Sequence, residues 1–293
     1  MISEYWIGFS WLNKIILYLS IAFTIGGAFC YVLFARFNSI KSTLLKYMAF
    51  GASLGFISSI VGFFILVGSF ANSGLSGIWN TTYIQILLNT VTGQMFISRI
   101  LIFLILVILL SIKLLQKTAH NSFFEKFLFA LLLLPLSYSF SQTGHVANLS
   151  TFAQILLTIH IFLISLWIGS LYPLWKASRE ISGLALKDRI HLFGQIAGFI
   201  VAILIACGAS VAVLLLKDFN TLFSTPYGYG FMLKIFFVLS ILALAAFNKW
   251  FFTPRLHQPE FSRYFSYAIL FEMLLGMTIL STTAYITTVI GIE

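Results

Sequence analysis

The chain has 293 residues, 60% of them apolar and only 9% charged, with a mean hydropathy of +1.02. A soluble domain of this size needs far more surface charge, so that class is excluded. The net charge of +9 does not mark a nucleic-acid surface, because the basic residues sit in short loops between long apolar runs, where they report topology. The runs lack the alternation of barrel strands, so the expected fold is all-α, an integral membrane bundle of eight helices.

The first span is expected near Leu12–Leu33, and it should stay as an anchor, since Met1–Trp11 has no basic n-region and no A-x-A-like cleavage site. The others follow near Tyr47–Phe70, Met95–Leu115, Phe127–Ser141, Phe152–Trp175, Leu192–Leu216, Gly230–Phe251 and Tyr264–Val289. The fourth is short and carries Pro135, which kinks a helix. Between the second and third, the uncharged connection Ala71–Gln94 holds Ile78, Trp79, Tyr83, Ile86 and Leu87, spaced for a short amphipathic helix lying in the interface as an anchor or a lid.

The loops alternate in charge. One set carries Arg36, Lys41 and Lys46, then Lys113, Lys117 and Lys126, then Lys176, Arg179, Lys187 and Arg189, then Lys249, Arg255 and Arg263; the other carries only Lys217. The positive-inside rule makes the first set cytoplasmic and puts both termini outside, with His145 facing the outer compartment. His120, His191 and His257 fall in or beside the basic loops and read as solvated. An internal similarity is also visible. Thr90-x-x-Gly93-x5-Arg99 matches Thr225-x-x-Gly228-x5-Lys234, and Ile25-Gly26-Gly27-Ala28-Phe29 matches Ile168-Gly169-Ser170-Leu171-Tyr172, at offsets of 135 and 143 residues. Two four-helix halves, 1–145 and 146–293, would then form a parallel repeat within one membrane domain, and transporters commonly place their sites where such halves meet.

At the middle of the chain a polar turn carrying His145 leads into an apolar run that contains His160. Thr151 and Gln154 have capping-box spacing, so a helix is expected from Phe152. His160 then lies roughly 12–14 Å along that helix, near the bilayer centre, with Trp167 seven residues on and on the same face. An imidazole at that depth needs a partner or a water-lined cavity. It serves either as a structural hydrogen-bonding group or as a ligand. His145 and His160 would be about 12 Å apart along the normal. They share one ion if the Gly144 turn dips inward, and otherwise act as entry and interior ligands of a relay.

Few other polar residues lie within the spans. Glu272 sits roughly 12 Å from the basic side, beside Met273 and close to Met277, and a lone carboxylate there costs several kcal/mol (on the order of 3) unless protonated or paired. Arg99, Lys234 and Lys14 sit about one turn inside their helices. Arg99 and Lys234 either snorkel to the interface or serve to neutralise an inward-facing acid or gate a cationic cargo. Imidazole, thioether and carboxylate together suit copper, with Met and Cys favouring Cu(I) and His accepting both states. Met273 and Met277 read equally as packing residues, and Cys30 and Cys207, inside apolar runs, as small core residues rather than a disulfide. No Met-x-Met or Cys-x-x-Cys signature is present.

Thr143-Gly144-His145, His160 followed by Trp167-Ile-Gly169, Ser224-Thr-Pro-Tyr227-Gly228-x5-Lys234, Asn248, and Glu272-x3-Gly276 together resemble the copper resistance protein D family. The resemblance runs over essentially the whole chain and is strongest in the last three spans. It implies copper handling or uptake across the bacterial cytoplasmic membrane, with a separate periplasmic copper-binding protein as donor and no catalytic turnover. Metal residues would be His145, His160, Glu272, Met273 and Met277, with Trp167, Arg99, Lys234, Tyr227 and Asn248 in supporting or gating roles. Two further classes stay open. A haem-bearing electron carrier needs two axial histidines at one depth, and an assembly factor would bind no metal. An enzyme acting on a lipid or quinone has no recognisable nucleophile–base pair to support it.

Overall fold

Inside a bilayer every backbone N–H and C=O must be bonded within the segment, so apolar runs of about 20 residues fold as helices. The structure, a computed structural model, describes residues 4–116, 123–142, 150–215 and 220–290. Its helices are α1 (Glu4–Leu33), α2 (Asn38–Ala71), α3 (Thr81–Leu88), α4 (Val91–Gln116), α5 (Phe123–Ser141), α6 (Thr151–Glu180), α7 (Gly183–Leu215), the single turn α8 (Thr221–Ser224), α9 (Pro226–Phe247) and α10 (Pro259–Tyr285). Seven helices among the described residues are long and apolar enough to cross a membrane: α1, α2, α4, α6, α7, α9 extended to Arg255 and α10 extended to Ile290. The expected fourth span is α5, which starts before the expected Phe127 and is 19 residues long, close to the roughly 20 a crossing needs, with Pro135 inside it. The chain is a multi-pass helical membrane protein.

α1 and α6 form the centre. α1 packs on α2 and α6, α2 on α4, and α6 on α7, α5 and α10, while α9 leans on α10 at the rim. α1 and α6 meet backbone to backbone at Gly26 and Gly169. A Cβ on Gly169 would stand 1.7 Å from the Ala22 carbonyl oxygen, and one on Gly26 would stand 2.1 Å from the Gly169 carbonyl carbon. Lipid tails are as apolar as leucine, so close approach through small residues is what holds such helices together. Pro173, inside α6, has no N–H to give the Gly169 carbonyl four residues back. That carbonyl instead accepts from the Tyr47 hydroxyl of α2 at 3.0 Å, and the Tyr47 ring lies against Tyr172.

The paired sequence segments behave alike locally. Thr90 Oγ1 accepts from Gly93 N at 3.1 Å where α4 starts, and Thr225 Oγ1 accepts from Gly228 N at 3.1 Å where α9 starts. Each threonine satisfies an orphan N–H of a first turn, and Gly26 and Gly169, the other matched pair, face each other across the α1–α6 crossing.

Two local expectations shift. The amphipathic helix expected in the 71–94 connection divides at Asn80 into a 3-10 turn, Leu75–Trp79, and α3. Asn80 Oδ1 accepts from Thr82 N and Tyr83 N at 3.1 and 3.2 Å, a capping role that asparagine prefers to a helix interior. Leu87 packs on Phe63 and Val67 while Trp79 and Ile86 stay exposed. α6 begins at Thr151, one residue early, with Ser150 as its cap, the Ser150 hydroxyl accepting from Ala153 N. Gln154 does not close a capping box; its Oε1 accepts from Gln142 Nε2 at 2.7 Å.

Candidate functional site

The candidate polar residues within the spans lie in three groups. The first lies at the end of the bundle opposite the basic loops, where α5 ends and α6 begins. Besides the Gln142–Gln154 bond, Thr158 Oγ1 donates to Gln154 O at 2.7 Å and reaches Ser141 Oγ at 3.4 Å. One level deeper, Arg99 of α4 is 3% exposed. Its Nε donates to Ser139 Oγ at 2.8 Å and its Nη2 to Ser139 O at 2.7 Å. The guanidinium also lies 4.4 Å from the Phe140 ring centroid and 5.4 Å from that of Phe96. Arg99 therefore does not snorkel. Five donors in a fixed fork, with aromatic faces beside them, keep it inside. Lys14 Nζ reaches the Thr287 carbonyl at 3.4 Å. His145 and the rest of 143–149 lie outside the described residues.

The second group is built on His160. Its ring crosses from α6 to α7, with Nδ1 3.3 Å from the Leu204 carbonyl oxygen. Gly208, one turn on, leaves the space for it, since a Cβ there would lie 3.1 Å from His160 Cε1 and 3.3 Å from Nδ1. A carbonyl only accepts, so Nδ1 carries the proton in this contact and Nε2 presents its lone pair. That tautomer is the one a metal-ligating histidine uses when its second nitrogen is held by a backbone carbonyl. Lys234 is half-buried on α9. Trp167, two turns along α6, does not join this group but is buried in the central core at 5% exposure.

The third group lies toward the basic end. Asn248 Nδ2 donates to Glu272 Oε1 at 2.7 Å, and both residues are 5% exposed. Asn248 opens a π-helical turn, Asn248–Phe252, in which its carbonyl accepts from Thr253 Oγ1 at 3.0 Å. The wider turn carries Asn248 round to face α10. Its Oδ1 is buried with no hydrogen-bond partner among the described residues. Met273 packs against the core, whereas Met277 is 42% exposed on the outside of α10. Tyr227 is half-buried at the start of α9, where the Thr-Pro-x-Gly element acts as a helix start: Thr225 caps and Pro226 occupies the first turn.

Among the described residues no three of His, Cys, Asp and Glu stand close enough to hold a metal ion as a group. Cys30 and Cys207 are buried free thiols on different helices. His191, near the start of α7, and His257 are exposed, in keeping with their places in or beside the basic loops, and His120 lies outside the described residues. Sequence reasoning did not single out Ser139, Ser141, Gln142, Thr158 or Gly208. The i,i+4 spacing of Gln154 and Thr158 was a signal for the polar ladder; nothing in the sequence pointed to Gly208 as the residue facing His160.

Comparison with known families gives two matches. The model described as copper resistance protein D-like, N-terminal domain, matches residues 9–155, and that described as copper resistance protein D matches residues 188–286. No curated protein and no solved structure matches the chain. Arg99 and His145 fall in the first stretch and Lys234, Asn248 and Glu272 in the second, while His160 and Trp167 lie between them. The first stretch alone takes in half of the chain, and this multi-pass protein belongs to the copper resistance protein D family.

Proposed function

We propose that the protein carries copper ions across the cytoplasmic membrane without catalytic turnover, taking them from a copper-binding protein on the outer side. The observation that carries this reading, beside the family, is the setting of His160. Its Nδ1 is engaged by the Leu204 carbonyl, which leaves Nε2 as a ligand atom at intramembrane depth. His145 is the entry ligand in this scheme, and the amide and hydroxyl ladder of Gln142, Gln154, Thr158 and Ser141 offers an ion polar contacts on the same side of the bundle. The Lys234 charge opposes a second cation at His160, so Lys234 acts as a gate that the arriving copper must displace. Toward the basic end Glu272, held by Asn248, supplies charge compensation, and Met273 is a better thioether ligand than the outward-turned Met277. The basic loops face the cytoplasm and both termini face outward. The matching caps at Thr90 and Thr225 and the Gly26–Gly169 crossing support two parallel halves.

His160→Ala is expected to lower cellular copper accumulation about tenfold at unchanged protein abundance, the scale on which lost metal contacts act. Accumulation equal to wild type, measured by elemental analysis of cells with matched expression, would remove His160 from the path and the proposal with it.

A further inference from the structure

A fourth polar feature lies outside all three groups, at the basic end. There α6 and α10 enclose a cleft of about 340 Å³, to which α6 contributes Trp175, Ser178 and Arg179 and α10 contributes Pro259, Ser262, Arg263, Ser266, Tyr267 and Leu270. The spacing is helical on both sides: 175, 178 and 179 form one stripe, and 259, 262, 263, 266, 267 and 270 form the other. The two helices run in opposite directions through this end, so their stripes grade the same way. Arg179, Arg263, Ser178 and Ser262 lie toward the end of the bundle, Trp175, Ser266 and Tyr267 lie deeper, and Leu270 is deepest.

The polar end is assembled rather than incidental. Ser262 Oγ donates to the Ser178 carbonyl at 3.0 Å and ties the two helices together at the cleft. The Arg179 guanidinium sits 5.0 Å from the Trp175 ring centroid, which fixes it at the aromatic level. The neighbouring acid is already taken, since the Glu180 carboxylate pairs with Lys176 at 2.7 Å. No carboxylate lines the cleft. Arg263 is exposed and makes no ion pair among the described residues, and the Ser266 hydroxyl has no partner there either.

We propose that this cleft binds an anionic phospholipid of the leaflet on the basic side. Arg179, Arg263 and the Ser266 hydroxyl hold the phosphate, and the first part of an acyl chain lies on Tyr267 and Leu270. The charge identifies the anionic headgroup and the gradient identifies its source. A free phosphate would need the guanidiniums and serines but not an aromatic and aliphatic floor descending into the membrane, whereas basic pockets between spanning helices suit lipid headgroups.

The test is native mass spectrometry of the delipidated full-length protein, titrated with phosphatidylglycerol and with phosphatidylcholine of the same chains, and with inorganic phosphate as competitor. Phosphatidylglycerol is expected to bind at least tenfold tighter than phosphatidylcholine and to resist millimolar phosphate. Arg179→Gln with Arg263→Gln should weaken it about thirtyfold, from about 1 kcal/mol per guanidinium near the membrane surface. Should that double variant fail to fold, Arg263→Gln alone changes an exposed side chain and leaves the Arg179–Trp175 contact in place, with an expected loss of about fivefold. Equal binding of the two lipids, an undiminished preference in the variants, or displacement by inorganic phosphate would each overturn the proposal.

Discussion

Gly169→Ala is expected to leave almost no folded protein after detergent extraction. The added methyl would occupy a point 1.7 Å from the Ala22 carbonyl oxygen and 2.5 Å from its carbon. Those are backbone atoms in the middle of a 30-residue helix, so no rotamer change relieves the overlap. Overpacking that side chains can absorb costs about 1–3 kcal/mol, and separating two helix backbones costs more, because every contact along the α1–α6 seam lengthens with them. The shift would also withdraw the Gly169 carbonyl from Tyr47, leaving a carbonyl that Pro173 cannot serve without a donor. Gly8→Ala is the control, since nothing lies within 4 Å of a Cβ there. Size-exclusion yield and thermal unfolding in detergent decide the matter. A Gly169→Ala protein as abundant and as heat-stable as Gly8→Ala would mean that α1 and α6 do not touch at this point.

Asn248→Leu is the second large expected effect, a loss of about 2–4 kcal/mol in stability. Interhelical hydrogen bonds in membrane proteins average only about 0.6 kcal/mol, so an ordinary Asn bond would not give this. Here the acceptor is a carboxyl group 5% exposed, and removing its donor strands it in the bundle interior. Glu272→Leu added to Asn248→Leu should recover most of the loss, because replacing both partners removes the desolvation penalty together with the bond. The measurement is a double-mutant cycle by thermal or denaturant unfolding in a fixed detergent. Additive single losses, with no recovery in the double variant, would show that the two side chains are not coupled.

Much of the architecture was legible along the chain because it depends on local composition. Apolar length decides which segments enter the bilayer, and a helix stands at each expected span, α5 with the proline already noted. Thr90, Thr225 and Asn80 cap helices because short polar side chains bond the backbone a few residues away, an interaction written into the sequence. The scarcity of polar residues in the spans likewise made His160, Arg99 and Glu272 visible at once. What none of this specifies is how each helix is rotated about its axis and which neighbour it meets. In water an amphipathic stripe reports that rotation; between lipid and an apolar interior the two faces of a helix look alike, and close packing of small residues makes the choice. Tertiary structure alone therefore turned His160 toward the Leu204 carbonyl over Gly208 and brought Asn248, through its π-helical turn, onto Glu272. It also turned Met277 outward and set Arg179 and Arg263 on the walls of one cleft. Composition chose the membrane and the candidate chemistry, and helix packing chose the partners.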